Sequence, residues 1–411
     1  MTSRLIAGVC FVVFAAPPTW AQSPSVDESF WTRSRLTGDW GGARSDLDSN
    51  GVTIDLQYTS TYQGLVASSW DRDSGYGGKF NGFINLDSGK LGLWEGGGLR
   101  THLEYRHGDA LANLGGTLFA TNTAQLWPVN EPEELVATSL YFAQKVGERS
   151  SILAGKFNPI DFYAADPFFG GWGIYRFMNL IFVAPPSGLI PPVFMGVVAN
   201  IGTERSSWTV MVYDPNDRTS DYFPGDLFSD GVNIMVTAAF RGAIAGRKTS
   251  YSVTAGYSTA DSVDYSTMPP GMQTSNKSGA YNVAFQFTHN FQEITQQTDA
   301  SWGLYFKVAT ADGNPNYVQA SILGGIGGRA LFFGRPQDSF GLGAFYYDLS
   351  DELQDSLDPL AEFGDESGVE AYYSWSLAPW LYVSGDIQFI DPARRGADSS
   401  VIAGVRANIR F

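Results

Sequence analysis

Four ionisable side chains at alternate positions are the first sign of chemistry in this sequence. They are Arg100, His102, Glu104 and Arg106. Alternate side chains of a β-strand point to the same face, so a strand here aligns all four in one row. Such a row is costly in a packed core, because each charge loses its hydration. The row therefore indicates a wet surface, where arginine donates hydrogen bonds and glutamate accepts them.

The sequence gives little support to catalysis or metal binding. A catalytic nucleophile needs a partner within hydrogen-bond reach, yet the histidines are limited to His102, His107 and His289, and no Gly-x-Ser-x-Gly elbow accompanies them. The acidic segments 214–217 and 348–358 lack the regular spacing of a calcium loop. We predict no catalytic residue, no metal site and no cofactor, with a lipase or protease as the competing enzyme class.

The strand that carries the row has an apolar opposite face, formed by Leu99, Thr101, Leu103 and Tyr105. The end of the chain repeats this alternation, with an apolar set made of Val401, Ala403, Val405, Ala407, Ile409 and Phe411. In transmembrane barrels the apolar face meets lipid and the polar face meets a watery lumen, with aromatic residues at the interface. The terminal aromatic residue favours a barrel over a soluble sandwich, whose strands alternate in the same way.

The same alternation along the chain predicts an all-β fold: a transmembrane antiparallel β-barrel of about sixteen strands. Fourteen and eighteen strands are the alternative counts. The strands are expected near residues 51–64, 77–89, 97–109, 135–147, 149–158, 192–203, 206–214, 230–242, 247–260, 279–291, 299–311, 316–330, 339–348, 366–376, 379–390 and 399–411. Longer connections are expected after the odd-numbered strands and shorter turns between them, which is the arrangement of outer loops and periplasmic turns.

The N-terminus has the features of a secretory signal peptide. Arg4 precedes the apolar run Leu5–Ala16, which is shorter than the ~20 residues that span a bilayer, and small residues follow it. We predict a signal peptide at residues 1–21, cleaved after Ala21, with Ala15 or Ala16 as alternatives. Residues 22–50 are predicted to form an N-terminal periplasmic segment with a short helix, and residues 51–411 to form the barrel.

Charge and cysteine content narrow the possible partners further. The formal net charge of −16 argues against nucleic-acid binding, which requires a basic face. Cys10, the only cysteine, lies in the predicted signal peptide, so the mature chain is expected to have no disulfide. Beyond that peptide there is no run of ~18 apolar residues, which argues against helical membrane spans.

Two connections are long enough to suggest a function, at residues 109–134 and 159–191. The second contains Asp161, Trp172 and several further aromatic residues. Aromatic side chains are poorly suited to a loop in water, so we predict that this loop folds inward against the barrel wall and narrows the pore. The alternative is an aromatic lid that packs on neighbouring loops or on a trimer partner.

The chain resembles the carbohydrate-selective outer-membrane porin (OprB-type) family at Leu36-Thr37-Gly38-Asp39-Trp40-Gly41-Gly42-Ala43-Arg44. Further stretches resemble that family in order along the mature chain: Gly155-Lys156-Phe157-Asn158, Gly334-Arg335-Pro336-Gln337-Asp338 with Gly341-Leu342-Gly343, Glu370-Ala371-Tyr372-Tyr373, and Ala378-Pro379-Trp380-Leu381 with Asp386-Ile387-Gln388-Phe389-Ile390 and Pro392. The resemblance implies a sixteen-stranded outer-membrane barrel that passes monosaccharides such as glucose, and related small polar solutes, by facilitated passive diffusion. It also implies a constriction lined by arginine, acidic and aromatic side chains.

On this resemblance, Glu104 and Arg106 correspond to paired wall residues of the constriction. The structural alternative is an ion pair that stiffens the wall, and His102 is as easily an inert lumen residue as a solute contact. Lys156 shares its strand parity with Ser150 and Asn158, which predicts the lumen face. The remaining expected pore residues are Arg100, Asp161 and Trp172.

The expected partners follow from the same resemblance. They are small-molecule carbohydrates, outer-membrane lipid and lipopolysaccharide, and the barrel-assembly machinery through Phe411, with no nucleic acid. The chain is expected in the outer membrane of a Gram-negative bacterium as a monomer or a homotrimer. A general small-solute or ion porin without sugar selectivity is the main alternative, and an adhesin or purely structural barrel is a further one.

Overall fold

The computed structural model describes residues 29–68, 73–109, 114–128, 133–183, 189–268, 275–294, 300–358 and 362–411. Within these ranges sixteen antiparallel strands form a closed barrel, which confirms the predicted fold class. The strands are β1 Val52–Ala67, β2 Ser74–Asp87, β3 Gly97–Gly108, β4 Leu135–Val146, β5 Ser150–Phe157, β6 Phe194–Gly202, β7 Ser206–Tyr213, β8 Asn233–Ile244, β9 Arg247–Val263, β10 Asn276–Glu293, β11 Ser301–Ala311, β12 Val318–Ala330, β13 Arg335–Leu349, β14 Glu366–Ala378, β15 Leu381–Asp391 and β16 Ser400–Arg410.

The barrel closes where the first strand pairs with the last. β1 and β16 run antiparallel from Gln57 opposite Arg410 to Leu65 opposite Ile402, and each remaining strand pairs with its sequence neighbours. Closure leaves no open sheet edge, so the backbone amides and carbonyls of the wall pair with one another. A lipid environment requires this, because it contains no water to hydrogen-bond unpaired groups.

The alternation read from the sequence separates the two faces of the wall. Apolar side chains such as Val197, Val236 and Val405 are exposed on the outside. Polar side chains at the intervening positions, such as Thr59 and Asn81, are buried inside the barrel. Because successive side chains of a strand point to opposite faces, the inside of this barrel is the polar side.

The connections differ in length at the two ends of the barrel. Short turns at 147–149, 203–205, 245–246 and 379–380 lie at one end, and the loops 109–134, 158–193, 214–232 and 350–365 lie at the other. We name three of them by their strands: the β3–β4 loop (109–134), the β5–β6 loop (158–193) and the β7–β8 loop (214–232). Five short α-helices are present in the described part of the chain: α1 Ala43–Ser49, α2 Thr123–Leu126, α3 Pro159–Tyr163, α4 Leu180–Val183 and α5 Asp351–Leu357.

The segment before β1 packs on the seam between β1 and β16. It contains α1, the predicted short N-terminal helix. Arg44 of this helix donates to the carbonyl oxygens of Ile54 (2.9 Å) and Phe411 (3.0 Å), and the backbone N–H of Leu36 donates to Arg410 O (2.8 Å). The predicted signal peptide, residues 1–21, lies outside the described residues. In the described ranges, no helix combines the length and the apolar character needed to cross a membrane.

Candidate pore constriction

The β5–β6 loop leaves the rim of the barrel and runs through its interior. Asn158 ends the strand pattern and caps α3, because its side-chain oxygen accepts the N–H of Ile160 (3.1 Å) and Pro159 occupies the first helical turn. Further along, Gly171 and Gly173 flank Trp172, and all three have positive φ angles. This turn reverses the loop inside the barrel, and glycine favours it because it lacks a Cβ atom.

The aromatic residues of this loop form a core inside the barrel, as the sequence suggested. Phe168 stacks on Tyr305 of β11 (centroids 4.8 Å apart), and Phe177 packs edge-on against Tyr372 of β14 (4.9 Å). Phe182 contacts Phe345 of β13 in the same way. Burying a large apolar side chain contributes about 1.5–3 kcal/mol. The loop is therefore held against the wall by apolar packing on β11 to β14.

Polar side chains of the wall fix the same loop at its backbone. Arg406 of β16 donates to the carbonyl oxygens of Gly173 and Arg176, and Glu370 of β14 accepts the backbone N–H groups of Met178 and Asn179. Hydrogen bonds to charged groups are the stronger class, worth about 1.5–3 kcal/mol each. Arg406 thus donates to backbone carbonyl oxygens of the loop, and Glu370 accepts from its backbone N–H groups.

The β3–β4 loop also enters the barrel and lies against the first loop. Thr123 N donates to Met178 O (2.8 Å), and Leu180 N donates to Ala120 O (2.8 Å). Arg106 of β3 donates to the carbonyl oxygens of Gln125 (3.0 Å) and Pro128. Arg106 is thus a structural anchor of this loop.

Four of the predicted pore residues meet in one charged cluster. Glu104 forms an ion pair with Lys79 of β2 (2.5 Å). His102 Nδ1 lies 2.9 Å from Asp161 Oδ1, and Trp172 Nε1 donates to the same carboxylate (2.7 Å). The contacts join β2 and β3 of the wall to the β5–β6 loop.

Exposure divides this cluster into an inner and an outer part. The side chains of Glu104 and His102 are 5% and 2% exposed, whereas that of Asp161 is 18% exposed and Trp172 is half-buried. Asp161 and Trp172 are therefore the more exposed members of the cluster. Glu104, His102 and Lys79 lie behind them and fix their positions.

Two further predicted residues lie outside this cluster. Arg100 shares the inner face of β3, but its Nη1 donates to the backbone oxygens of Leu86 (2.8 Å) and Leu99 (3.2 Å). It stands nearer the short-turn end and makes no hydrogen bond to the cluster among the residues that the structure describes.

Lys156 differs from its predicted lumen orientation. Leu153 and Phe157 of β5 pack inside the barrel, and Phe157 meets Phe162 of the β5–β6 loop (5.7 Å), so Lys156 lies on the opposite face. Its Nζ donates to Thr219 O (2.6 Å) beneath the β7–β8 loop. The prediction grouped Lys156 with Asn158, but the period of two ends at Phe157 and Asn158 already belongs to the turn into α3.

Several residues of the site were missed from the sequence. Lys79 and Asn81 alternate with apolar residues on β2, so their inward position was readable, although their contacts with Glu104 and His102 were not. Arg406 stands in the polar set of the last strand. Its partners on the β5–β6 loop are more than two hundred positions away, so no local pattern points to them.

One protein-family model and one curated protein match most of this chain. The family model described as "Carbohydrate-selective porin, OprB family" matches residues 71–411. The protein described as "Putative porin QuiX" of Acinetobacter baylyi is 24% identical over 439 aligned residues, which cover 93% of this chain and 94% of that protein.

Solved structures show the same fold. The high-pH structure of Pseudomonas putida OprB has a TM-score of 0.80 at 18% identity, covering 93% of this chain and 100% of that one. The low-pH structure of the same protein has a TM-score of 0.58 at 16% identity, covering 93% and 99%. At these identities the likeness concerns the barrel fold alone.

Proposed function

The chain belongs to the OprB family of carbohydrate-selective porins, and on that premise we propose that it passes monosaccharides such as glucose by facilitated passive diffusion. The family and the fold are those of outer-membrane channels rather than enzymes. Transport by this route needs no energy input, since the solute follows its own concentration gradient.

The observation that carries the proposal is the β5–β6 loop inside the barrel, which brings Asp161 and Trp172 together at a reachable surface. A sugar has many hydroxyl groups and apolar C–H faces. A carboxylate accepts hydrogen bonds from the hydroxyls, and an indole ring packs on the C–H faces. In the proposed constriction, His102, Glu104 and Arg106 hold these two contacts and the neighbouring loop in position.

Binding inside a pore has to remain weak. Conduction requires a site that is favourable enough to enter and weak enough to leave. Asp161 meets this requirement, because His102, Ser139 and Trp172 already occupy much of its hydrogen-bonding capacity.

The test is single-channel conductance of the refolded mature protein in a planar bilayer, with glucose titrated into the bath. We expect a small conductance that glucose reduces saturably. Trp172→Ala is expected to weaken the glucose block, whereas Trp94→Ala, in the exposed turn between β2 and β3, leaves it unchanged. A large conductance indifferent to sugar supports the general porin instead and rejects the carbohydrate proposal.

A further inference from the structure

One buried lysine stands apart from the others of its kind. Among the described residues three lysines are buried: Lys79, Lys156 and Lys307. Lys79 has the Glu104 carboxylate at 2.5 Å, and Lys156 has the carbonyl oxygen of Thr219 at 2.6 Å. Lys307, which is 8% exposed, has neither a hydrogen bond nor an ion pair within the part of the chain that the structure describes. A buried ammonium without an acceptor is costly, so a partner is expected.

Lys307 faces the lumen. It lies on β11 two residues from Tyr305, whose ring stacks on Phe168 of the β5–β6 loop inside the barrel, so both side chains share the inner face. Its Nζ lies 5.9 Å from the ring centre of Tyr163, which belongs to the same loop. The amine therefore points into the space between the wall and the loop.

The nearest carboxylate, Asp166, is engaged elsewhere. Its Oδ1 accepts the backbone N–H groups of Phe168 (2.8 Å) and Phe169 (2.7 Å), and its Oδ2 lies 3.5 Å from Gln286 Nε2. Asp166 stays beyond ion-pair distance of Lys307, so it leaves the ammonium available.

The wall around Lys307 is polar and mostly neutral. Gln286 of β10 pairs directly with Lys307 across the strands. Ser252 of β9 is the next residue on that row, and Ser250 and Thr288 beside it share a hydrogen bond of 2.6 Å. Amide and hydroxyl groups of this kind match the hydroxyls of a polyol without repelling a charge.

We infer that Lys307 is a solute-binding residue of the lumen that, together with Gln286 and Tyr163, favours polyhydroxylated solutes carrying a carboxylate over neutral sugars. The missing acceptor of the ammonium is then the carboxylate, and an ionised pair binds more strongly than an ammonium with a hydroxyl. The tyrosine ring faces the solute's C–H groups, and the amide of Gln286 faces its hydroxyls. The solute class named by this inference is sugar acids, and the inference rests on the proposed function.

The test compares block of single-channel current by gluconate and by glucose. In the unaltered protein gluconate is expected to block at lower concentration than glucose. Lys307→Gln is expected to raise the half-blocking concentration of gluconate about tenfold, the effect of losing one charged hydrogen bond. The half-blocking concentration of glucose is expected to change far less. Lys307→Arg keeps the charge and is expected to retain the gluconate preference.

Two further variants test whether the effect comes from the local charge at Lys307. Lys277→Gln removes the same charge at the exposed end of β10 and is expected to leave both blocks unchanged, which excludes a general effect of net charge. Asp166→Asn keeps the acceptor for the two loop amides but removes the neighbouring charge, so gluconate is expected to block more strongly.

The outcomes separate this inference from the proposed function. The role of Lys307 is overturned if Lys307→Gln changes gluconate block and glucose block equally, or if it leaves gluconate block unchanged. In either case, glucose block of the unaltered protein still supports the carbohydrate proposal. If neither solute blocks the unaltered channel, the carbohydrate proposal fails. The zero-current potential in a chloride gradient then decides on Lys307 alone: an unchanged potential in Lys307→Gln rejects it as a lumen cation.

Discussion

At the scale of single residues, charged groups inside this barrel mostly support the wall and its loops. Lys79 and Glu104 form an ion pair behind the constriction, and the guanidinium of Arg106 donates hydrogen bonds to carbonyl oxygens of the β3–β4 loop. The structural alternative named for Glu104 was a stiffening ion pair. The structure shows such a pair, although its partner is Lys79 rather than Arg106.

Breaking the pair between Lys79 and Glu104 is expected to destabilise the barrel. Lys79→Met leaves a buried carboxylate without its cation, which costs about 3–5 kcal/mol. The double variant with Glu104→Leu is expected to recover much of this loss, because no unpaired charge remains. Chemical unfolding in detergent measures both, with the exposed Lys277→Met as control. A double variant as unstable as the single one contradicts this account.

Arg106→Ala is expected to loosen the β3–β4 loop, since two of its carbonyl oxygens lose their donor. Single-channel recordings should then show higher conductance and weaker sugar block. Arg100→Ala changes the same residue type on the same strand face but touches no described residue of that loop, so it serves as control. Equal effects of the two variants, or no effect of Arg106→Ala, remove the proposed anchor.

At the scale of elements, the long loops fall into two groups. The β3–β4 and β5–β6 loops fold into the barrel, where wall residues bind their backbones. The β7–β8 loop instead covers Lys156 on the other face of β5. Its own centre is Arg218, which donates to Asp214 (3.1 and 3.2 Å), to Asp221 (3.1 Å) and to Asp226 (3.1 Å).

Arg218→Ala is expected to release the β7–β8 loop, since four charge-assisted hydrogen bonds are lost. Limited proteolysis of intact cells or of purified protein should then cut between residues 214 and 232. Arg149→Ala removes an exposed pair with Glu204 and is expected to have no such effect, because surface pairs contribute about 0–1 kcal/mol. Continued protection of the loop in Arg218→Ala contradicts the assignment.

The same loop is expected to open in acid. Burial by itself raises the pKa of Asp214, but hydrogen bonds from Arg218 and from two backbone N–H groups outweigh it and hold that pKa below the usual 3.8. A carboxyl with a lowered folded pKa stabilises the fold above its unfolded value and loses that contribution as pH falls through the folded pKa. The protection factors of this loop's amides, which are corrected for the pH dependence of intrinsic exchange, should therefore stay constant from neutral pH down to about 4 and fall below it.

At the scale of the whole molecule, the N-terminal segment secures the point where the barrel closes. Arg44 bridges the carbonyl oxygens of Ile54 on β1 and of Phe411 after β16, and it stacks on Trp40 (4.1 Å). Arg35 pairs with Asp55 on the same side. The segment thus ties the first strand to the last, which are neighbours in the barrel although they are not consecutive along the chain.

Arg44→Ala is expected to weaken this closure by about 1.5–3 kcal/mol, the range for hydrogen bonds to a charged group. Heat-induced loss of the folded, fast-migrating form on gels measures the change. Arg247→Ala, at the exposed start of β9, is the control and is expected to unfold as the unaltered protein does. If Arg44→Ala is as heat-stable as the unaltered protein, Arg44 does not stabilise the seam between β1 and β16.

The strands, their order and their two faces can be read from the sequence alone. Alternation is a local property, so Leu99 to Arg106 and Val401 to Phe411 each reveal an apolar and a polar side without reference to any other element. Closure follows, because a membrane strand has to pair on both edges. The inward loop was predictable from its aromatic residues, which need apolar neighbours.

Which inner side chains meet is visible only in the folded barrel. Glu370 reaches Met178, Arg406 reaches Gly173 and His102 reaches Asp161 because the β5–β6 loop crosses the lumen along one path. Such contacts depend on where a loop lies in space, and residue spacing carries no information about that. Lys156 shows the same limit at short range. The alternation ends at Phe157, where the chain turns into α3, so Asn158 lies inside the barrel while Lys156 faces the other way.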